Sequence, residues 1–272
     1  MNWFTPRAPI NSQERGFEGQ KRSEAMARVT IQVLGSGDAF GSGGRLQTCF
    51  LLCAGDERVL VDCGATALVA MRRFGVAPDA IDAVFLSHLH GDHFGGLPFL
   101  LLEAQFISRR ERPLTIAGPP GTRERLQATL EALYPGSSRT SWRFPLSFVE
   151  LRPLERQHLG GVTVTAHPVE HPSGAPAYAL QLACDGRRIA YSGDTAWTEQ
   201  LIEVARDSDL LIVECYAFEP KASHHLDFRT LSRRRAELAT RRVLLTHMGA
   251  EMLSRLDGID WETAEDGLLI EL

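Results

Sequence analysis

Four side chains able to bind a metal fall within six residues in Ser87-His88-Leu89-His90-Gly91-Asp92-His93, directly after the apolar run Ala83-Val84-Phe85-Leu86. The run reads as a buried strand and the cluster as the loop leaving its end. In extended backbone His88 and His90 project to the same side, and Gly91 lets the chain turn so that Asp92 and His93 face a neighbouring point. Two adjacent metal sites follow. Neutral imidazoles and a carboxylate combine borderline and hard donors, which suits zinc and also manganese or iron. A histidine-rich surface loop is the plainer reading, but this pattern sits at a strand end and carries a full ligand set.

Other β-like runs end on chemistry-bearing residues too. Asp62 closes Arg58-Val59-Leu60-Val61 beside Cys63-Gly64, and Asp194 follows Arg188-Ile189-Ala190-Tyr191-Ser192 between Gly193 and Thr195. Taken singly, each aspartate could cap a helix, expected over 65–74 and 199–206. His167 and His171 follow Val162-Thr163-Val164-Thr165-Ala166. Four apart, they would share a helix face, but Pro168 and Pro172 argue against a helix, and only one need be a ligand. Glu214 ends Asp209-Leu210-Leu211-Ile212-Val213, His224 and His225 precede a helix expected over 228–239, and His247 ends Arg242-Val243-Leu244-Leu245-Thr246. A lone strand-end histidine is more often structural.

The elements that must position these groups alternate. Strands are expected at 29–34, 48–53, 58–61, 83–86, 113–117, 146–151 and 268–272 besides those above, with further helices over 97–108 and 122–133, a pattern of α/β layering. Gly35-Ser36-Gly37-Asp38-Ala39-Phe40-Gly41 is no nucleotide loop, because a strand and not a helix follows; hairpin turns explain its glycines. The 272 residues are 44% hydrophobic and 23% charged, a globular balance that fits one domain over 28–272 behind a polar, flexible arm, 1–27. A net charge of -5 excludes a global basic field built to grip nucleic acid. The arginine runs Arg109, Arg110, Arg112 and Arg233, Arg234, Arg235 read as solvated faces. No stretch approaches a membrane span or a signal peptide. Five cysteines without a Cys-x-x-Cys pair read as reduced thiols of a cytoplasmic protein.

His-x-His-x-Asp-His resembles the signature of the metallo-β-lactamase superfamily of binuclear metal hydrolases. Asp62-Cys63-Gly64 and the Pro-Leu-x-Ile-x-Gly-Pro-Pro-Gly stretch from Pro113 to Gly121 look like its ribonuclease Z branch, Tyr191-Ser192-Gly193-Asp194-Thr195 like the fourth motif and Leu245-Thr246-His247 like the fifth. The resemblance runs in order from Val29 to Gly249. It implies an α/β, four-layer αβ/βα sandwich with the site along one edge. It also implies two divalent metal ions: His88, His90, His171 and Asp194 would hold one, Asp92, His93, Asp194 and His247 the other, with Asp194 bridging and Asp62 in support. Asp92 would aim a water activated by both cations. Glu214 would orient a histidine that assists the transition state, taken as His225, with His224 still open.

Phosphodiester hydrolysis is therefore the expected reaction, on a small-molecule or nucleotide-type substrate, with a homodimer implied by the relatives. RNA is less favoured, because the branch's Glu-Gly-Thr-Gln continuation is replaced by Ala65-Thr66-Ala67-Leu68, its basic clamp arm is missing, and its His-Ser-Thr has become His225-Leu226-Asp227. Hydrolysis of a carboxylic ester, lactone or thioester is the rival, and a non-catalytic metal-binding scaffold the remoter one.

Overall fold

A computed structural model describes residues 28–220 and 223–272; the arm expected over 1–27 lies outside them. The first half builds strands β1 (Val29–Gly35), β2 (Cys49–Ala54), β3 (Glu57–Val61), β4 (Ala83–Phe85), β5 (Leu114–Gly118) and β6 (Leu146–Glu150). The second builds β7 (Arg156–Leu159), β8 (Val162–Val169), β9 (Ala177–Cys184), β10 (Arg187–Tyr191), β11 (Leu210–Glu214), β12 (Val243–Thr246) and β13 (Glu262–Thr263), and β14 (Leu269–Glu271) closes the chain. The helices are α1 (Ala67–Arg73), α2 (Gly91–Phe94), α3 (Leu97–Phe106), α4 (Thr122–Leu133), α5 (Gln200–Ala205), α6 (Phe228–Arg234) and α7 (Ala250–Leu253).

These strands form two seven-stranded sheets, ordered β14-β1-β2-β3-β4-β5-β6 and β13-β12-β11-β10-β9-β8-β7. Each begins as an antiparallel meander and turns parallel, at β3–β4 in one sheet and at β10–β11 in the other. The tail runs antiparallel to β1, so the last strand seals an edge of the first sheet. Between the sheets, the inward residues of both interdigitate: Ile31, Phe50, Leu52, Val61 and Phe85 from one, Val164, Leu180, Ile189, Tyr191 and Ile212 from the other. On the outer faces α1, α3 and α4 bury Met71, Leu97, Leu101, Leu126 and Leu130 against the first sheet. Leu201, Val204, Leu231 and Met252 of α5, α6 and α7 do the same on the second. The result is the four-layer αβ/βα sandwich, in which each sheet hides one face in the centre and one under helices.

Some local expectations change. α6 stops at Arg234 and tightens into a 3₁₀ turn at Arg235–Glu237, so this helix is shorter than 228–239. Arg110 is buried rather than solvated: its guanidinium donates to the carbonyls of Asp79, Ile81, Arg112 and Pro113, tying the loop before β5 to the entry of β4. Arg233 and Arg235 are exposed as expected, and Arg234 and Arg235 lie over the faces of Trp197 and Trp261. All five cysteines are free thiols. Among the described residues no helix is long and apolar enough to cross a membrane.

Candidate metal centre

Parallel strands end on the same edge of a sheet, and both sheets here present those C-terminal ends at one side of the sandwich. β3 delivers Asp62, β4 the His88–His93 segment, β10 Asp194, β11 Glu214 and β12 His247. β8, which runs in the same direction as β10 because β9 is antiparallel to both, delivers His171. At Gly91 the chain leaves extended backbone for α2, which carries Asp92 and His93 back into the cluster. Gly193 and Gly64 stand where this edge has no room for a side chain. Gly193 holds φ 57° with the Tyr178 carbonyl 2.7 Å from where a Cβ would stand, and a Cβ on Gly64 would lie 2.3 Å from the Asp92 carbonyl. Asp62 and His247 are themselves left-handed, at φ 58° and 55°, a conformation open to few residues besides glycine but one that Asp and His adopt more readily than most.

Asp92, His93, Asp194 and His247, all buried, offer ligand atoms within 4.8 Å of one another, and so do His88, His90 and His171. Asp194 lies between the groups. Its Oδ1 is 3.3 Å from His93 Nε2, and its Oδ2 is 3.3 Å from His247 Nε2 and 3.9 Å from both His88 Nε2 and His171 Nε2. Ligand atoms ~2.0–2.1 Å from a tetrahedral ion stand roughly 3.3 Å apart, the spacing of Asp194 from His93 and from His247. Buried His88 Nε2, His93 Nε2 and Asp194 Oδ1 have no hydrogen-bond partner. Polar atoms so placed are costly unless something binds them, and the residues fit a metal cluster.

Hydrogen bonds fix which nitrogen each imidazole presents. Asp62 Oδ2 accepts from His93 Nδ1, from the Ser87 hydroxyl and from the Tyr191 hydroxyl, each at 2.7 Å, while Oδ1 accepts from the Ser87 amide. Because the Ser87 hydroxyl donates to Asp62, it accepts from His88 Nδ1 at 3.0 Å. The Thr48 hydroxyl donates to the Gly37 carbonyl and so accepts from His247 Nδ1 at 3.1 Å. His171 Nδ1 donates to the His224 carbonyl at 3.0 Å. His88, His93 and His247 thus turn Nε2 toward the cluster, while His171 Nε2 faces His90 Nδ1 at 3.0 Å. Sequence alone assigns Thr48, Ser87 and Tyr191 no such role, because nothing in it marks a hydroxyl that works through another side chain.

The electrostatics follow from burial and crowding. Burial holds His88, His171 and His247 below the usual imidazole range, hence neutral and able to ligate. Burial would raise Asp92 and Asp194, but the surrounding histidines, His93 above all for Asp92 and His247 for Asp194, outweigh it and keep both carboxylates ionised.

His225 rather than His224 meets Glu214. Its Nδ1 stands 3.0 Å from Glu214 Oε2 and 3.9 Å from Asp194 Oδ2, whereas the exposed His224 contributes its carbonyl to His171. Burial pushes the Glu214 carboxyl up to about 8. On His225 burial acts downward, but the bond and charge of Glu214 prevail and bring the ring to about 9. The Leu226-Asp227 departure has a local reason: Leu226 packs in the outer core, and Asp227 caps α6 through the Thr230 amide at 2.8 Å. His167 is not part of the site. Its Nδ1 faces Gln200 of α5 at 3.4 Å, because β8 continues past Pro168 to Val169 and alternation turns His167 outward. Pro168 costs no ladder bond, since β7 pairs with β8 only up to Thr165. His158 lies on exposed β7.

A cavity of about 250 Å³ opens onto the cluster, lined by His90, Asp92, His171, Asp194, His225 and His247 together with Ala39, Phe40 and Tyr216. Sheets of this topology with ligands at one edge define the metallo-β-lactamase fold. The same fold occurs in YhfI of Bacillus subtilis (TM-score 0.71, 22% identity, 89% of this chain and 99% of that one) and in Zn(2+)-bound PqqB of Methylobacterium extorquens (TM-score 0.71, 16% identity, 89% and 100%). In sequence, a ribonuclease Z of Mycobacterium bovis is 29% identical over 196 residues, 68% of this chain and 69% of its own. The probable metallo-hydrolase YhfI is 28% identical over 227 residues, 81% and 87%. Within this ribonuclease Z-like group of metallo-hydrolases, the chain belongs to the family of the Anti-Pycsar protein Apyc1, whose family model matches residues 29–260.

Proposed function

We propose that this protein is a binuclear metal-dependent phosphodiesterase acting on a small, nucleotide-type phosphodiester. The observation that carries the reading is the Glu214–His225 pair, 3.0 Å apart: buried Glu214 backs His225, which lines a cavity of about 250 Å³ that also opens onto the ligand cluster. That volume suits a small substrate, and the absence from the sequence of a basic clamp arm weighs against tRNA. Relatives named ribonuclease Z support phosphorus rather than carbon as the electrophile.

His88, His90, His171 and Asp194 would hold one ion and Asp92, His93, Asp194 and His247 the other, zinc being the best match to this donor set. Two such cations would supply a nucleophilic water at neutral pH and positive charge for the non-bridging oxygens of the phosphate. Asp92, on the wall of the cavity, orients that water. Glu214 accepts from His225 Nδ1, which leaves Nε2 on the cavity side to hold a proton for the departing oxygen. The Thr195 amide donates to Glu214 and keeps it in place.

His225→Ala tests this. It should lower kcat for an alkyl diester by about 10²–10⁴-fold with metal content intact. The loss should shrink for p-nitrophenyl diesters, because p-nitrophenolate leaves without a proton, and His224→Ala should change little. If His225→Ala left alkyl diester turnover untouched and abolished lactone or thioester cleavage, the ester reading would replace this one.

A further inference from the structure

Phe40 is the most exposed large hydrophobic side chain among the described residues, at 82%, yet it lines the cavity over the ligand cluster. Its segment is held from several sides. Buried Asp38 accepts from the Phe40 amide at 3.2 Å, from the Ser42 amide at 2.9 Å and from the Ser42 hydroxyl at 2.7 Å, while Gln47 Nε2 donates to the Ala39 carbonyl at 3.1 Å. Gly41, at φ 66°, lets the chain turn back immediately after Phe40. The ring therefore stands at the mouth on a fixed backbone, and its exposure is not the fraying of a free loop. The other exposed apolar side chains with a shared surface, Phe106, Ile107, Leu133 and Tyr134, line a separate groove beside α3 and α4. Deeper in the same cavity Tyr216 lies against His225, with ring centroids 4.9 Å apart at 32°. The cavity thus has a polar, metal-ligating floor and an aromatic rim. Such a rim recognises a flat, uncharged group attached to an anionic one.

We propose that Phe40 is a specificity-determining residue, a stacking platform at the cavity mouth for the planar group, a nucleobase, that the substrate carries beside its phosphate. The assignment rests on the phosphodiesterase reading above and adds the part of the substrate that reading leaves unread. Stacking on a π-face tolerates any base, so Phe40 selects nucleotides over other phosphodiesters without choosing strongly among bases.

The test compares binding of two ligands that differ only in the base, a nucleoside 5′-monophosphate and ribose 5-phosphate, to the metal-loaded protein by calorimetry. The wild type should bind the nucleotide about 10–100-fold more tightly, the usual worth of one base on one aromatic ring. Phe40→Ala should erase that difference and leave ribose 5-phosphate affinity unchanged, and Phe40→Trp should restore it. Equal affinity for both ligands in the wild type overturns the proposal, as does a Phe40→Ala variant that weakens both ligands alike or neither. Diester turnover separates the two readings: a wild type that discriminates by the base but cleaves no diester sustains the stacking platform and removes the phosphodiesterase.

Discussion

The two halves of the ligand cluster use the same side-chain chemistry and differ in what holds it. Asp92, His93, Asp194 and His247 are all buried, and their imidazoles are anchored on rigid elements, His93 by Asp62 at the end of β3 and His247 by Thr48 at the start of β2. On the other side His88 is buried, His90 and His171 are only partly buried as residues, and His171, though its ring is covered, leans on a backbone carbonyl of the segment leading to α6. Preorganised ligands lose less freedom on binding and present the right nitrogen from the start. The buried half should therefore hold its cation more tightly.

The largest effect expected is from Asp194→Ala, since Asp194 belongs to both halves. Elemental analysis should find close to two ions per chain in the wild type and none retained in the variant, with diester turnover down on the order of 10³-fold or more, given several kcal/mol of charge stabilisation from the ions. One tightly held ion, unchanged by the substitution, would mean the cluster is not a shared site. Next comes Asp62→Asn, which keeps the size of the side chain but cannot accept from His93, Ser87 and Tyr191 together. Chelator titration should show the tighter of two dissociation constants weakened about 10–100-fold, the range for a lost partner of a ligating histidine, with a smaller shift in the weaker one, which Asp62 reaches only through Ser87 and His88. Were the weaker constant to shift instead, the ranking of the two halves would be inverted. Smallest is Thr48→Val, which removes the acceptor of His247 alone. About tenfold on the same tighter constant is expected; no change would show that burial, and not the hydroxyl, fixes the ring.

Much of the site was legible because a strand end is a local event. His88, His90, Asp92 and His93 announce themselves by spacing, and Asp194, Glu214 and His247 each close an apolar run rich in branched side chains, whose period and composition survive in any context. The sandwich came from likeness of motifs in order, not from any one segment, and both sheets are present. Local pattern failed where an element depends on neighbours. Ala177–Cys184, rich in alanine and leucine, has no strong strand propensity, and becomes β9 because β8 and β10 pair with it on both sides. Arg156–Leu159 is a short polar edge with no apolar alternation to read. Arg110 looked like one more exposed cation until four carbonyls closed around it.

By itself the sequence determined the set of metal-capable residues and the strands that end on them, since both follow from residue type and period. Only the tertiary structure set His225 and not His224 against Glu214, turned His167 away, gave Thr48, Ser87 and Tyr191 their hydrogen bonds to the cluster and set Phe40 at the cavity mouth. Each of these depends on where a side chain points relative to residues far off in the chain. Tyr191 meets Asp62 across 129 positions, and Thr48 meets His247 across 199. No local periodicity encodes such a pairing, because it exists only once the two sheets have packed face to face and brought their strand ends to one edge.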